Sequence, residues 1–243
     1  MRSIKRKIGR AWAANGGRGV VRLAAAKTVN MVQSCSPPRI RGRWRDARFD
    51  RRLGVSTRKI VSLNSLHIDS ENWNEGFRYQ ATSPDTFHSM MQSLSIRHED
   101  FDFVDIGSGK GRALFLAAEY PFRAITGIEF SRQLHDICTK NISAFRAKTG
   151  RGSEIRAVCM DALEFPLPER PTVVYLYNPF SAQLFGKFLR RVSESLVARP
   201  RDLYIVYYNP VGARHADHSE LFEQLAAGDE FCIYRHTGHA AMS

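Results

Sequence analysis

Acidic residues are missing from the first 45 positions of this 243-residue chain; Asp46 is the first to appear. Cysteine is scarce. Cys35, Cys138, Cys159 and Cys232 contain no Cys-x-x-Cys pair, so a disulfide framework is not expected, and two of them fall inside predicted core elements as reduced, buried thiols of a cytosolic protein. Long apolar runs are also absent. Arg22 interrupts the longest one, leaving it too short for a membrane span or a good secretory core. His215, His218, His236 and His239 with Cys232 invite a metal reading, but no four-ligand set has zinc spacing, so no metal is expected. There is no solenoid-length repeat and no Ser-His-Asp ordering.

What remains is ordinary in bulk and lopsided in charge. Hydrophobic residues make up 43% and charged residues 25%, typical of a globular protein long enough for one α/β domain with extensions. Residues 1–52 carry 15 Lys/Arg against two Asp, a net +13, whereas residues 53–243 net −1. The expected organisation is therefore a basic N-terminal extension, 1–52, and a folded domain, 53–243. Ile4, Ile8, Ala11 and Trp12 recur at helical spacing among Lys5, Arg6, Lys7 and Arg10, and Val20 to Val32 can resume a helix. The arginines after Pro37-Pro38 read as a basic hinge. Three roles stay open for this extension: binding an anionic partner (nucleic acid or a membrane surface), a transit peptide, or a solvated cover.

The chemistry is concentrated downstream. Residues 102–111 read Asp-Phe-Val-Asp-Ile-Gly-Ser-Gly-Lys-Gly: an apolar strand pattern enters Gly107, Gly109 and Gly111, and a helical pattern follows. Glycines there let the main chain approach a ligand and present N–H groups at a helix start. Glu129 ends a second apolar run, where a carboxylate can accept from a ribose diol. Asp161 ends a third, within reach of a nucleobase edge. The dinucleotide fingerprint fails because Arg112 stands where its last glycine belongs, and the P-loop fails because Gly111 follows Lys110. Asp105, two residues before the first glycine, suits a cationic ligand better than a pyrophosphate.

Strand patterns at 101–106, 124–130, 155–160, 172–177, 202–208 and 230–236 alternate with helical patterns at 110–119, 131–147, 181–196 and 217–227. Ser83-Pro84-Asp85 opens a further helix, and Ser131 and Ser181 are natural N-caps. This alternation predicts a Rossmann-like, doubly wound, mostly parallel α/β sheet of six or seven strands with a basic helical extension. Ligands in such sheets bind at the carboxyl ends of strands, where Gly107, Glu129, Asp161 and Asn178 fall. Tyr177-Asn178-Pro179 and Tyr208-Asn209-Pro210 echo one another at two strand ends.

This set resembles the class I S-adenosylmethionine-dependent methyltransferases over roughly residues 79–210, in particular bacterial proteins described only as such. It is also faintly similar to the non-SET histone lysine methyltransferases. The resemblance implies a seven-stranded sheet closing with an antiparallel hairpin, S-adenosyl-L-methionine as cofactor, and in-line methyl transfer. It assigns Asp105, Gly107, Gly109, Gly111, Glu129 and Asp161 to the cofactor, with Asn178 at the cofactor as well as at the acceptor. Tyr79 or Thr82 is placed by it at the cofactor's methionine end, with helix capping the competing role for Thr82. Asn178-Pro179-Phe180 is similar to the Asn/Asp-Pro-Pro-Tyr/Phe segment by which amino-methyltransferases hold an NH₂ group, with one proline fewer. An amine acceptor, on protein lysine or a nucleobase, is thereby favoured. The alternative is a non-catalytic nucleoside-binding module docking through its basic tail. A cytoplasmic location is expected, with peripheral membrane association open through that tail.

Overall fold

The computed structural model describes residues 37–58, 81–210, 221–228 and 230–237. Tyr79, Cys35, His215, His218 and His239 lie outside them, as do the helical turns expected in residues 4–32 and any strand near 59–63. The chain divides into two compact units, residues 1–49 and 50–243. Residues Pro37–Leu53, where a basic hinge was expected, form helix α1. Proline is tolerated in a first helical turn, where its missing N–H has no intrahelical partner to lose. Arg51 and Arg52 occupy the last turn, where cations suit the helix dipole. Among the described residues no helix is long and apolar enough to cross a membrane.

In the second unit five strands run parallel: β1 (Asp102–Ile106), β2 (Ile125–Glu129), β3 (Ile155–Cys159), β4 (Thr172–Tyr177) and β5 (Leu203–Tyr208). Two more close the sheet, β6 (Phe222–Ala227) and β7 (Phe231–His236), with β7 antiparallel to both of its neighbours. The strand order is β3-β2-β1-β4-β5-β7-β6, so the order reverses between β1 and β4, the point at which such sheets open a crevice. Helices α2 (Pro84–Gln92), α3 (Arg112–Ala117), α4 (Arg132–Thr149) and α5 (Ala182–Ala198) supply the covering layers. The expected N-caps form: the Ser131 and Ser181 hydroxyls accept from the Leu134 and Leu184 amides at 3.4 and 3.2 Å.

Strand alternation sends side chains to two faces. Val104, Ile106, Val174, Leu176 and Ile205 pack with Phe185, Phe188 and Val192 of α5. On the other face Phe87 of α2 meets the rings of Phe103 and Tyr175 at 5.9 and 5.5 Å, and Phe115 of α3 stacks on Phe145 of α4 at 5.0 Å. The sheet is doubly wound, as expected, and it has seven strands.

The seventh strand overturns one expectation. Residues 217–227 read as a helix, yet Phe222–Ala227 is β6. Glu-Gln-Leu-Ala-Ala favours a helix in isolation, but pairing with β7 supplies the backbone partners and buries Phe222 opposite His236. Tertiary context wins over a propensity worth only tenths of a kcal/mol per residue.

Residues 50–58 are tied to the start of α3. Arg112, 1% exposed, donates from a terminal guanidinium nitrogen to Asp50 Oδ1 at 3.2 Å and from Nε to Thr57 Oγ1 at 2.5 Å. Asp50 also accepts from the Thr57 hydroxyl and amide and the Arg58 amide, at 2.7, 2.9 and 3.1 Å. Asn141 of α4 binds the Ser56 amide at 2.9 Å and the Lys110 carbonyl at 3.0 Å. A chain begun at Leu53, the domain boundary expected from charge, would lack Asp50. We expect Asp50→Ala to remove the carboxylate partner of a buried guanidinium and lower stability by about 3–5 kcal/mol. Urea unfolding measures it, and a loss under about 1 kcal/mol would show that the other partners of Arg112 suffice.

Candidate functional site

β1 ends in Asp105-Ile106 and turns through Gly107, Gly109 and Gly111, whose φ angles are 78°, 55° and 87°. L side chains are strained in that region. Two of these glycines also make room for protein atoms. A Cβ on Gly107 would stand 2.8 Å from the Pro179 Cβ, and one on Gly111 would stand 2.8 Å from the Cys138 Sγ. The glycine loop is thus packed directly on the segment that follows β4. The Gly107 and Ser108 amides both donate to the Ile128 carbonyl at 2.9 Å, which fixes the loop to the end of β2.

Glu129, the last residue of β2, sits against this loop. One carboxylate oxygen accepts from the Gly109 amide at 2.9 Å and the other from the Ser131 amide at 2.8 Å. Burial pushes its pKa up to about 7, partly countered by amide hydrogen bonds from Ser131, Gly109 and Phe130. Asp105 is buried too, and burial, with Glu129 adding, holds its carboxyl well above the usual carboxylate range. The same burial pushes the Cys138 thiol up to about 12, so that thiol stays protonated and is a packing residue. Asp161 follows β3, half-buried, with Oδ1 accepting from the Leu163 amide at 2.9 Å. It is linked to Glu129 through the Met160 amide, which donates to the Glu129 carbonyl at 3.1 Å.

The residues after β4 separate. Asn178 takes a left-handed backbone, φ 42°, and is 8% exposed. Its side-chain oxygen is buried and has no hydrogen-bond partner among the described residues. Pro179 lies on Gly107. Phe180 is 7% exposed and packs on Phe188 of α5, ring centroids 5.7 Å apart. Its ring belongs to the core beneath the site. Thr82 is also turned inward: its hydroxyl pairs with the Tyr175 hydroxyl at 2.9 Å. The Ser83 side chain makes no capping bond.

One feature beyond the expected residues is a tyrosine pair. Tyr177 and Tyr208 are register partners at the carboxyl ends of β4 and β5, with ring centroids 4.3 Å apart. Asn209, like Asn178, is left-handed, φ 51°, and its amide donates to the Glu230 carbonyl at 2.7 Å. Burial, with Glu230 adding, raises the Tyr208 phenol. The repeated Tyr-Asn-Pro was the available signal, because an echo at two strand ends puts two copies side by side only if β4 and β5 are neighbours. Among the described residues no cluster of three or more His, Cys, Asp or Glu could hold a metal. A groove of about 330 Å³ between residues 162–169 and α5 contains none of the site residues above.

The sheet order with its antiparallel β7 is the seven-stranded, antiparallel-closed sheet that the resemblance to class I methyltransferases implied. No protein-family model and no curated protein matches the chain. Solved structures similar to it include an S-adenosylmethionine-dependent O-methyltransferase from Thermotoga maritima, at 12% identity over 65% of this chain and 67% of that one, TM-score 0.48. A second is an RNA methyltransferase from Salinibacter ruber in complex with S-adenosyl-L-homocysteine, at 18% identity over 64% and 91%, TM-score 0.45. A third, a predicted N6-adenine-specific DNA methylase from Listeria monocytogenes, is 13% identical over 64% of this chain and about half, 51%, of its own length, TM-score 0.48.

Folding raises the Glu129 pKa from 4.5 to about 7, so in that window the folded chain retains a proton the unfolded chain has lost. Stability therefore falls as pH rises through the window and levels off above it. The displacement corresponds to roughly 3 kcal/mol. Glu129→Gln cannot ionise; urea unfolding at pH 5 and pH 8 should show the wild type losing more stability than the variant by about that amount.

Proposed function

We propose that the protein is a class I S-adenosylmethionine-dependent methyltransferase acting on an acceptor nitrogen that carries hydrogen. The observation that supports the cofactor most is the Glu129 clamp. Backbone amides hold this carboxylate at the end of β2: Gly109 and Ser131 each take one oxygen, and Phe130 adds a third interaction. A carboxylate offers about four lone-pair sites, so it retains acceptor capacity for a ribose hydroxyl. Asp105, buried beside the glycine loop, is a carboxyl whose ionised form a cationic ligand would favour against its burial, Gly107, Gly109 and Gly111 shape the wall, and Asp161 stands at the next strand end for the adenine. Tyr79 and Thr82 keep the role of binding the methionine end only as a proposal; with the Thr82 hydroxyl paired to Tyr175, Thr82 fits as a support of that wall.

When bound, S-adenosylmethionine supplies an electrophilic methyl group. The chain's own part is orientation. A buried side-chain oxygen without a partner costs about 1–3 kcal/mol, and Asn178 carries one at the carboxyl end of β4. Accepting one N–H of the acceptor would satisfy it and direct the nitrogen lone pair, and alignment of this kind can supply ~7–11 kcal/mol of a barrier. Pro179, seated on Gly107, fixes Asn178 relative to the glycine loop. The acceptor classes that fit are an amine of a protein side chain and an exocyclic amine of a nucleobase.

Calorimetry should show S-adenosylmethionine binding without NAD binding. Glu129→Ala should weaken it about ten- to a hundredfold, from hydrogen bonds worth roughly 1.5–3 kcal/mol each. Because the diol needs the ionised carboxylate and its pKa is about 7, affinity should be about tenfold weaker at pH 6 than at pH 8. Equal binding by wild type and variant would remove the ribose assignment.

Asn178→Ala should lower turnover at least tenfold with cofactor affinity within about twofold, since it removes an interaction with the acceptor alone. Phe180→Ala should instead cost stability, about 3 kcal/mol or more, because its ring is core. Parallel loss of cofactor binding in Asn178→Ala would reassign Asn178 to the cofactor pocket.

A further inference from the structure

We infer that the exposed Trp44-Arg48-Arg51 stripe of α1 is a docking surface for a single-stranded nucleic acid backbone. This rests on the nitrogen-acceptor reading and narrows it to a nucleobase amine. Helix α1 holds seven arginines and no lysine, against Asp46 and Asp50. Asp50 is engaged by Arg112, Thr57 and Arg58 and Arg52 is paired with Glu119 at 2.7 Å, and the helix keeps an excess of five arginines over its two acids. Phe49, Asp50 and Leu53 are buried, whereas Trp44, Arg45, Arg48, Arg51 and Arg52 are exposed. Trp44, Arg48 and Arg51 stand at i, i+4 and i+7, on one stripe, with neighbouring Cβ atoms about 5–6 Å apart.

The composition of that stripe points to nucleic acid and away from lipid. A helix that lies in a bilayer surface needs a continuous apolar face; here Phe49 and Leu53 are buried, and Trp44, 72% exposed, is the one large apolar side chain the helix exposes among its described side chains. Guanidinium forks match phosphate oxygens bidentately and stack on rings, which lysine does not do. An exposed tryptophan among them is the chemistry of a base-stacking platform flanked by phosphate-binding forks. A duplex keeps its bases stacked, so the pattern suits a single strand.

The test uses the full chain and a fluorescein-labelled 20-nucleotide RNA of mixed, unstructured sequence, read by polarisation from 50 to 200 mM KCl. Arg48→Glu with Arg51→Glu should weaken binding at least tenfold and lower the slope of log affinity against log salt by about 1.4, because two phosphates are then left without a cationic partner. Trp44→Ala should weaken binding about tenfold with the slope unchanged. Vesicles of phosphatidylcholine and phosphatidylserine at 3:1 should not sediment the protein in an α1-dependent way. RNA binding with an unchanged slope in the double variant overturns the proposal, as does α1-dependent vesicle binding without RNA binding. Calorimetry with S-adenosylmethionine on the same samples separates the two readings: failure there removes the methyltransferase reading whatever the RNA result.

Discussion

One carboxylate holds the carboxyl-terminal edge of this sheet together. Glu129 receives an amide from the glycine loop after β1 and an amide from the start of α4, and its own carbonyl receives the amide of Met160 after β3. Three connections leaving three adjacent strands are thereby referred to a single residue. Burying a carboxylate is costly, and its pKa of about 7 records that cost. The amides lower the cost without cancelling it, leaving a group poised to change charge near neutrality. Asp105 beside it feels the same burial. Two such carboxyls at adjacent strand ends favour a ligand that brings donors or positive charge.

The second anchor of the edge is steric. Gly107 has no room for a side chain because Pro179 occupies the space, so the end of β4 is located by the loop after β1. The tyrosine pair extends the same logic outward, since ring contact between Tyr177 and Tyr208 couples β4 to β5 where the left-handed asparagines leave the sheet. Backbone conformations of this kind cluster where structure is held for function.

The parts of this arrangement legible in the residues were those with a strong local signature. Apolar runs ending in Gly107, Glu129 and Asp161 are periodic and punctuated, and β1 to β5 lie within a residue or two of their expected bounds. The antiparallel closure was expected from the family resemblance alone; its last strand was not legible in the residues, because Phe222 to Ala227 has helical propensity and only its pairing with β7 makes it a strand. The helical state of Pro37 to Leu53 was obscured by its charge and its leading prolines. Arg112 read as a missing glycine, yet its role is to bind Asp50, 62 positions away; no local pattern encodes a pair so distant. Thr82 and Phe180 were assigned by motif position, and packing turns one hydroxyl toward Tyr175 and one ring into the core.

The outermost strand on the β7 side has a further consequence. Among the described residues β6 pairs with β7 alone, and an edge strand of this kind is one to which a second sheet can add. Its register with β7 slips between Gln224 and Ala226, so the strand is bulged and its hydrogen-bonding groups no longer form a straight row. Glu223 and Gln224 are exposed along it. An incoming strand would meet a twisted, carboxylate-bearing border, and β6 is accordingly built to terminate the sheet and resist intermolecular strand addition.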